Sequence, residues 1–262
     1  MQDLSITIIQ SELHWQQPDA NLGMFEEKIW SIEERPHIIV LPEMFTTGFS
    51  MDAEKCAEPM GTRAFRWMKQ MAQQTQAVLV GSLMVKDGSE YFNRLIWMTP
   101  QGDYQYYDKR HLFRMAQEHL TYQSGNDVLI VEYMGWKICP QICYDLRFPV
   151  WNRNRRHNQG LAYDVLIFVA NWPRPRVSAW DTLLQARAIE NLCYTIGVNR
   201  VGEDGNGVSY TGHSGIVHPK GHFLAHFKEE EVIHTQVLER QPLDQLREKF
   251  PVHLDADNFT ID

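Results

Sequence analysis

The sequence predicts an α/β domain in which helices cover the outer faces of mixed sheets that share one inner core. Three observations lead there. Short apolar runs alternate with stretches of helical periodicity. Two tight turns in the middle of the chain each join a pair of extended segments, which adds antiparallel pairs to an otherwise parallel order. No repeat, low-complexity block or Pro/Gly/Ser-rich linker interrupts the 262 residues, so residues 1–262 read as one domain.

The elements follow in order. A strand is expected at Ser5–Ile9, a helix near Asn21–Glu33, a strand at His37–Leu41, a helix near Thr62–Gln74 and a strand at Ala77–Val85. Tyr91–Met98 and Tyr104–Asp108 flank Pro100-Gln101-Gly102-Asp103, and Val128–Tyr133 and Lys137–Ile142 flank Met134-Gly135; both pairs read as hairpins. Asp164–Ala170 is a continuous apolar strand. Ser178 is placed to cap a helix in which Trp180, Leu183, Leu184, Ala188 and Leu192 recur at helical spacing. Strands at Tyr194–Asn199, Ser209–His218, Phe223–Phe227 and Glu231–Val237 and a short helix near Leu243–Phe250 complete the chain. The basic run Arg153-Asn154-Arg155-Arg156-His157 reads as a solvated helix face.

Composition narrows the function. With 44% apolar and 22% charged residues the chain is an ordinary globular protein. A formal charge of −8 disfavours nucleic acid as a partner, because phosphate binding needs a basic stripe. The longest apolar runs fall far below the roughly 18–20 residues of a membrane helix, so no membrane partner is expected. Met1-Gln2-Asp3-Leu4 has none of the character of a secretory signal, and four unevenly spaced cysteines fit free thiols; both point to the cytoplasm.

Three segments place a reactive group at the carboxyl end of a strand, where open α/β sheets build their sites. They are Leu41-Pro42-Glu43, Tyr107-Asp108-Lys109-Arg110-His111 and Ile142-Cys143-Tyr144-Asp145. A thiol attacks a carbonyl only as thiolate and needs a base or a cation to reach that state. Glu43 supplies the base, and Lys109 a cation for the thiolate and the tetrahedral oxyanion. If Cys143 sits on a sharp strand-to-helix turn, the Tyr144 backbone N–H is a second oxyanion donor. These parts suffice for acyl transfer.

Leu41-Pro42-Glu43, Lys109-Arg110-His111-Leu112-Phe113 and Cys143-Tyr144-Asp145-Leu146-Arg147-Phe148-Pro149 resemble, in order, the three signatures of the nitrilase superfamily of carbon–nitrogen hydrolases. Ala170-Asn171-Trp172-Pro173 and the segment Trp180 to Asn191 extend the likeness. The resemblance implies an α-β-β-α sandwich of two mixed sheets with helices on the outer faces, a Glu–Lys–Cys triad, assembly into a homodimer, and no metal or organic cofactor. It also implies a second glutamate that holds the lysine and the substrate nitrogen, for which Glu118 is the natural choice.

Within the superfamily the chain is most similar to the omega-amidase branch, whose substrates are small 2-oxo acid amides such as 2-oxoglutaramate. Such a substrate carries a carboxylate far from its amide, so a fixed cation is expected in the pocket; Arg147, Arg174 and Arg176 lie in suitable loops. Phe45 and Trp172 are expected to supply an apolar wall. The alternatives are an N-carbamoyl amidase, an aliphatic amidase or a nitrilase, and, outside enzymes, a silent binding protein on the same fold. Eleven histidines bring no His-Glu-x-x-His and no paired Cys/His spacing, so no metal site is expected; a papain-like pairing of Cys143 with His111 or His213 has no supporting context.

Overall fold

A computed structural model describes residues 2–157, 160–257 and 259–260. Two mixed sheets stack face to face. The first runs Val232–Leu238, Leu4–Gln10, Ile38–Val40, Val78–Asp87, Glu90–Met98, Tyr104–Asp108, with the short Glu58–Pro59 beside Val78–Asp87. The second runs Phe223–His226, Gly215–Val217, Tyr194–Val198, Val165–Val169, Trp136–Ile142, Val131–Tyr133. Each sheet is parallel at its centre and antiparallel toward its edges.

The alternation of strand side chains divides the interior. Leu4, Ile6, Ile8, Val78, Val80, Leu95 and Trp97 meet Ile138, Val165, Ile167 and Val169 between the sheets. Ile9, Ile39, Leu79, Ile96 and Met98 face the other way, onto the helices Pro18–Trp30 and Arg63–Thr75. The second of these buries Ala64, Trp67, Met68, Met71 and Ala72, a spacing of three and four residues that puts one apolar stripe on the sheet. Burying side chains of this size contributes about 1.5–3 kcal/mol each.

Val165–Val169 has parallel neighbours on both sides and is buried throughout, which explains its unbroken apolar run. The helix Val177–Asn191 covers the outer face of this sheet through Trp180, Leu184 and Ala188. It lies so close that a Cβ on Gly197 would meet Trp180 at 2.5 Å and Leu184 at 2.7 Å. A side chain there would push helix and sheet apart.

The expected α-β-β-α sandwich is therefore present, with three local corrections. The strand read as Ser209–His218 is two strands, Ser209–Thr211 and Gly215–Val217, because Gly212 and His213 both turn left-handed at φ +69° and +59°. Ser178 lies inside its helix, whose N-cap position is Arg176, and makes no cap. The basic run is not a helix face: the helix stops at Asn152, and buried Asn154 donates to the carbonyls of Tyr163 and Asn191. The side chain of His157 lies outside the described residues. Met134-Gly135 is a left-handed two-residue turn, as its sequence demands.

Candidate active site

Glu43 follows the strand Ile38–Val40, Lys109 follows Tyr104–Asp108 and Cys143 follows Trp136–Ile142, so stacking the two sheets brings three strand ends together. Cys143 opens a 3-10 turn, Cys143–Arg147, at φ +42°. That left-handed conformation is uncommon for a residue with a Cβ. Buried Asp145 fixes the turn by accepting from the Ile142 N–H at 3.1 Å, the His111 N–H at 2.9 Å and the Tyr107 hydroxyl at 2.8 Å.

Lys109 is the centre of the polar nest. Its Nζ donates to Glu43 Oε1 at 2.9 Å and to Glu118 Oε1 and Oε2 at 3.0 Å each, and all three groups are sealed from solvent. The remaining carboxylate oxygen of Glu43 accepts the Asn171 N–H at 2.8 Å, and Glu118 Oε2 accepts the Phe113 N–H at 2.6 Å. Asn93 Nδ2 donates to Glu43 Oε1 at 2.8 Å. Both carboxylates are thus held by several donors, the condition for keeping a charge inside a protein.

The charges are unequal in their settings. Burial opposes the Lys109 ammonium, but Glu118 and then Glu43 outweigh it and lift its pKa above the ordinary lysine range. Burial raises the Glu118 carboxyl, with Lys109 pulling it down and the charge of Glu43 pushing it up. The Cys143 thiol is raised well above its usual value by burial and then by the nearby charge of Glu43; Lys109 draws it down only in part. That direction favours the protonated thiol, so attack by this sulfur would require its proton to leave.

Cys143 opens into a cavity of about 500 Å³ whose wall includes Glu43, Lys109, Tyr144, Arg147, Trp172 and Arg176. The Arg147 guanidinium lies 4.8 Å from the centre of the Trp172 ring, and that of Arg176 lies 5.2 Å from that of Phe113. Neither guanidinium pairs with a carboxylate among the described residues.

Two expected pocket residues lie elsewhere. Phe45 is buried beneath the first sheet, edge-on to Phe25 at 5.6 Å, because its ring fills the space left by Gly81. Arg174 points to the surface and pairs with Glu229 at 3.1 Å. His111 and His213 are bound to Asp145 and Asp181, so neither is paired with Cys143.

The sequence reading missed the roles of Asn93, Asn171 and Asp145. Asn93 left a signal: it shares the inward face of its strand with Leu95 and Trp97, and an amide there calls for a partner. Trp15, Phe49 and Asp204, which also line the cavity, come from loops, and Tyr210 from the strand Ser209–Thr211; no local pattern encodes their convergence.

A fold of two facing mixed sheets with a buried Glu–Lys–Glu nest beside a cysteine at a strand end defines a hydrolase of carbon–nitrogen bonds. The profile of the carbon-nitrogen hydrolase family matches residues 5–244, and the chain belongs to that family. It is 45% identical to the omega-amidase YafV of Escherichia coli K12 over the whole of both chains. It is 33% identical to the 2-oxoglutaramate amidase of Bacillus subtilis over 95% of each. The crystal structure of XC1258 from Xanthomonas campestris, a CN-hydrolase superfamily protein with an arsenic adduct in its active site, superposes with a TM-score of 0.98 at 42% identity, covering all of both chains.

Proposed function

We propose that this protein is an omega-amidase that releases ammonia from the terminal amide of a small 2-oxo acid amide, 2-oxoglutaramate being the type substrate. The observation that carries this reading is a cavity at Cys143 with two guanidiniums in its wall, Arg147 and Arg176, free of carboxylate partners among the described residues. An amide whose far end is a carboxylate supplies the missing anion. Full-length similarity to two enzymes named for this activity supports the same substrate class.

In the proposed reaction Glu43 takes the Cys143 proton as sulfur attacks the amide carbon. The oxyanion is stabilised by the Lys109 ammonium and by the Tyr144 N–H, one of the amides at the start of the 3-10 turn that have no partner within it. Glu43 returns the proton to the departing ammonia, leaving a thioester on Cys143. It then deprotonates a water that attacks the thioester, and the thiol is regenerated with the acid product. Glu118 holds Lys109 and accepts from the amide nitrogen. No step calls for a metal or an organic cofactor.

The test is ammonia release from 2-oxoglutaramate, glutamine, an N-carbamoyl amino acid and a nitrile. Preference for the first is expected; preference for the N-carbamoyl compound or the nitrile overturns the reading in favour of a sister activity. Arg147→Met is expected to lower kcat/KM for 2-oxoglutaramate by about 10–100-fold, as loss of a charged hydrogen bond does, and to leave a carboxylate-free aliphatic amide almost unaffected.

The pH profile follows from the nest. As pH falls, Glu118 takes up a proton at a higher pH than an ordinary glutamate with its pKa near ~4.3, because burial lifts it, and Lys109 then loses an anchoring charge. The acid limb of kcat/KM is therefore expected above that value. Lys109 stays charged far into the alkaline range, so no alkaline limb from this residue is expected.

A homodimer in the cytoplasm is the proposed setting. Val150 and Ile189, on the helices that follow the nucleophile strand, are 56% and 53% exposed and give an apolar face for a second copy. No helix among the described residues is long and apolar enough to cross a membrane.

A further inference from the structure

Outside the catalytic cavity, three metal-ligating side chains from separate elements converge on one point. Asp181 lies in the helix Val177–Asn191, His213 in the corner between Ser209–Thr211 and Gly215–Val217, and His226 at the end of Phe223–His226. Asp181 Oδ2 faces His213 Nδ1 at 2.8 Å, and its Oδ1 faces His226 Nε2 at 3.1 Å. The three ligand atoms all lie within 4.8 Å of one another. We propose that Asp181, His213 and His226 form a binding site for a divalent late first-row transition cation such as Zn²⁺ or Co²⁺.

The donor set selects the class of ion. Two imidazoles and one carboxylate suit zinc and its neighbours, whereas magnesium and calcium prefer oxygen throughout. The spacing suits the ion as well. Bonds of about 2.0–2.1 Å place the ligands of a tetrahedral centre roughly 3.3 Å apart, so the two Asp181–His contacts open by a few tenths of an ångström and the remaining separation, within 4.8 Å, draws toward the same value. Exposures of 24%, 18% and 26% for the side chains of Asp181, His213 and His226 leave one side open to water or to a further ligand.

The His213 backbone and the His226 ring are held in place by contacts other than Asp181. The Trp180 indole N–H donates to the His213 carbonyl at 2.7 Å and secures this residue in its left-handed conformation. The His226 ring stacks on Phe223 at 4.2 Å and 12°. Residues fixed in this way lose little freedom when they ligate. In the metal-free state each ring donates the N–H of the facing nitrogen to a carboxylate oxygen. On binding, that nitrogen offers its lone pair to the cation, the ring proton moves to the opposite nitrogen, and Asp181 turns its charge to the ion. Asp181 and His213 are separated by 32 residues and His213 and His226 by 13, spacings that match no sequence motif, so the site becomes visible only in the folded chain.

Because Trp180 also packs on Trp172 at 5.3 Å, the cation lies behind the wall of the catalytic cavity and ties the helix to the Gly212–Ser214 corner. The test uses untagged, chelator-washed protein carrying Cys143→Ala, which removes the competing thiol. Calorimetric titration with ZnCl2, and visible absorption on adding CoCl2, are expected to give one equivalent bound. The affinity is expected to fall at least ~10-fold in the added His226→Ala or Asp181→Asn changes, as loss of a ligand requires. Thermal melting is expected to rise with ZnCl2 in the parent and to stay put in both variants; Asp181→Asn preserves side-chain size and so controls for folding. Absence of saturable binding up to millimolar ZnCl2, or unchanged affinity in both variants, overturns the proposal.

Discussion

Cys143→Ala abolishes ammonia release, with kcat expected to fall by about 10⁵-fold, while the melting temperature stays within a few degrees of the parent. The size of the loss follows from covalent catalysis: without sulfur no thioester forms, and the remaining donors can only polarise an amide toward direct attack by water. Stability is spared because alanine shares the backbone and Cβ, and the sulfur is a neutral thiol that anchors no charge. Ammonia release and thermal denaturation on the same preparation check both halves. Retention of even a hundredth of the parent rate would remove Cys143 from the nucleophile role.

Lys109→Met produces a different signature, in which fold and catalysis fail together. The ammonium is the shared partner of two sealed carboxylates, and its removal leaves Glu43 and Glu118 facing each other. Breaking such a buried pair costs about 3–5 kcal/mol at neutral pH. The turnover loss is expected to exceed ~10³-fold, since the oxyanion loses its cation as well.

The deficit in stability depends on pH. Burial and the charge of Glu43 already raise the folded pKa of Glu118, and without Lys109 its main counterweight is gone. Such a group leaves the fold undisturbed below the unfolded pKa near ~4.3 and destabilises it as pH rises through the folded value. Urea denaturation is therefore expected to show a smaller gap between Lys109→Met and parent at pH ~5 than at pH ~7.5. Adding Glu118→Gln is expected to recover part of the loss, because one carboxylate no longer opposes the other. A gap independent of pH, with no rescue, would mean that Lys109 contributes packing alone.

The parts of this site that the sequence made legible are those in which chemistry and local pattern coincide. Glu43 and Cys143 follow apolar strands and Lys109 the second arm of a hairpin, so strand pattern and reactive side chain can be read in one segment. The turn at Met134-Gly135 was legible for the same reason, since its backbone needs are met by two adjacent residues. Asn171 stood in a recognised segment, but its service to Glu43 spans 128 positions and depends on how the sheets stack. Phe45 and Arg174 show the limit of proximity in sequence: two residues beyond Glu43 the turn sends a ring into the core, and a surface carboxylate draws an arginine outward. The interruption at Gly212-His213 was hidden because both flanks are extended and only the dihedral angles reverse.

The backbone at Cys143 also constrains which nucleophiles could replace it during evolution. A positive φ tolerates an unbranched side chain but punishes branching at Cβ, so threonine is barred from the position on conformational grounds before its reactivity matters. Serine fits the corner, yet its hydroxyl is far less acidic than a thiol and sits in a pocket that already resists ionisation. The geometry of one residue thus narrows what could stand in for the proposed nucleophile: a lineage that puts a β-branched residue there must first rebuild the bend.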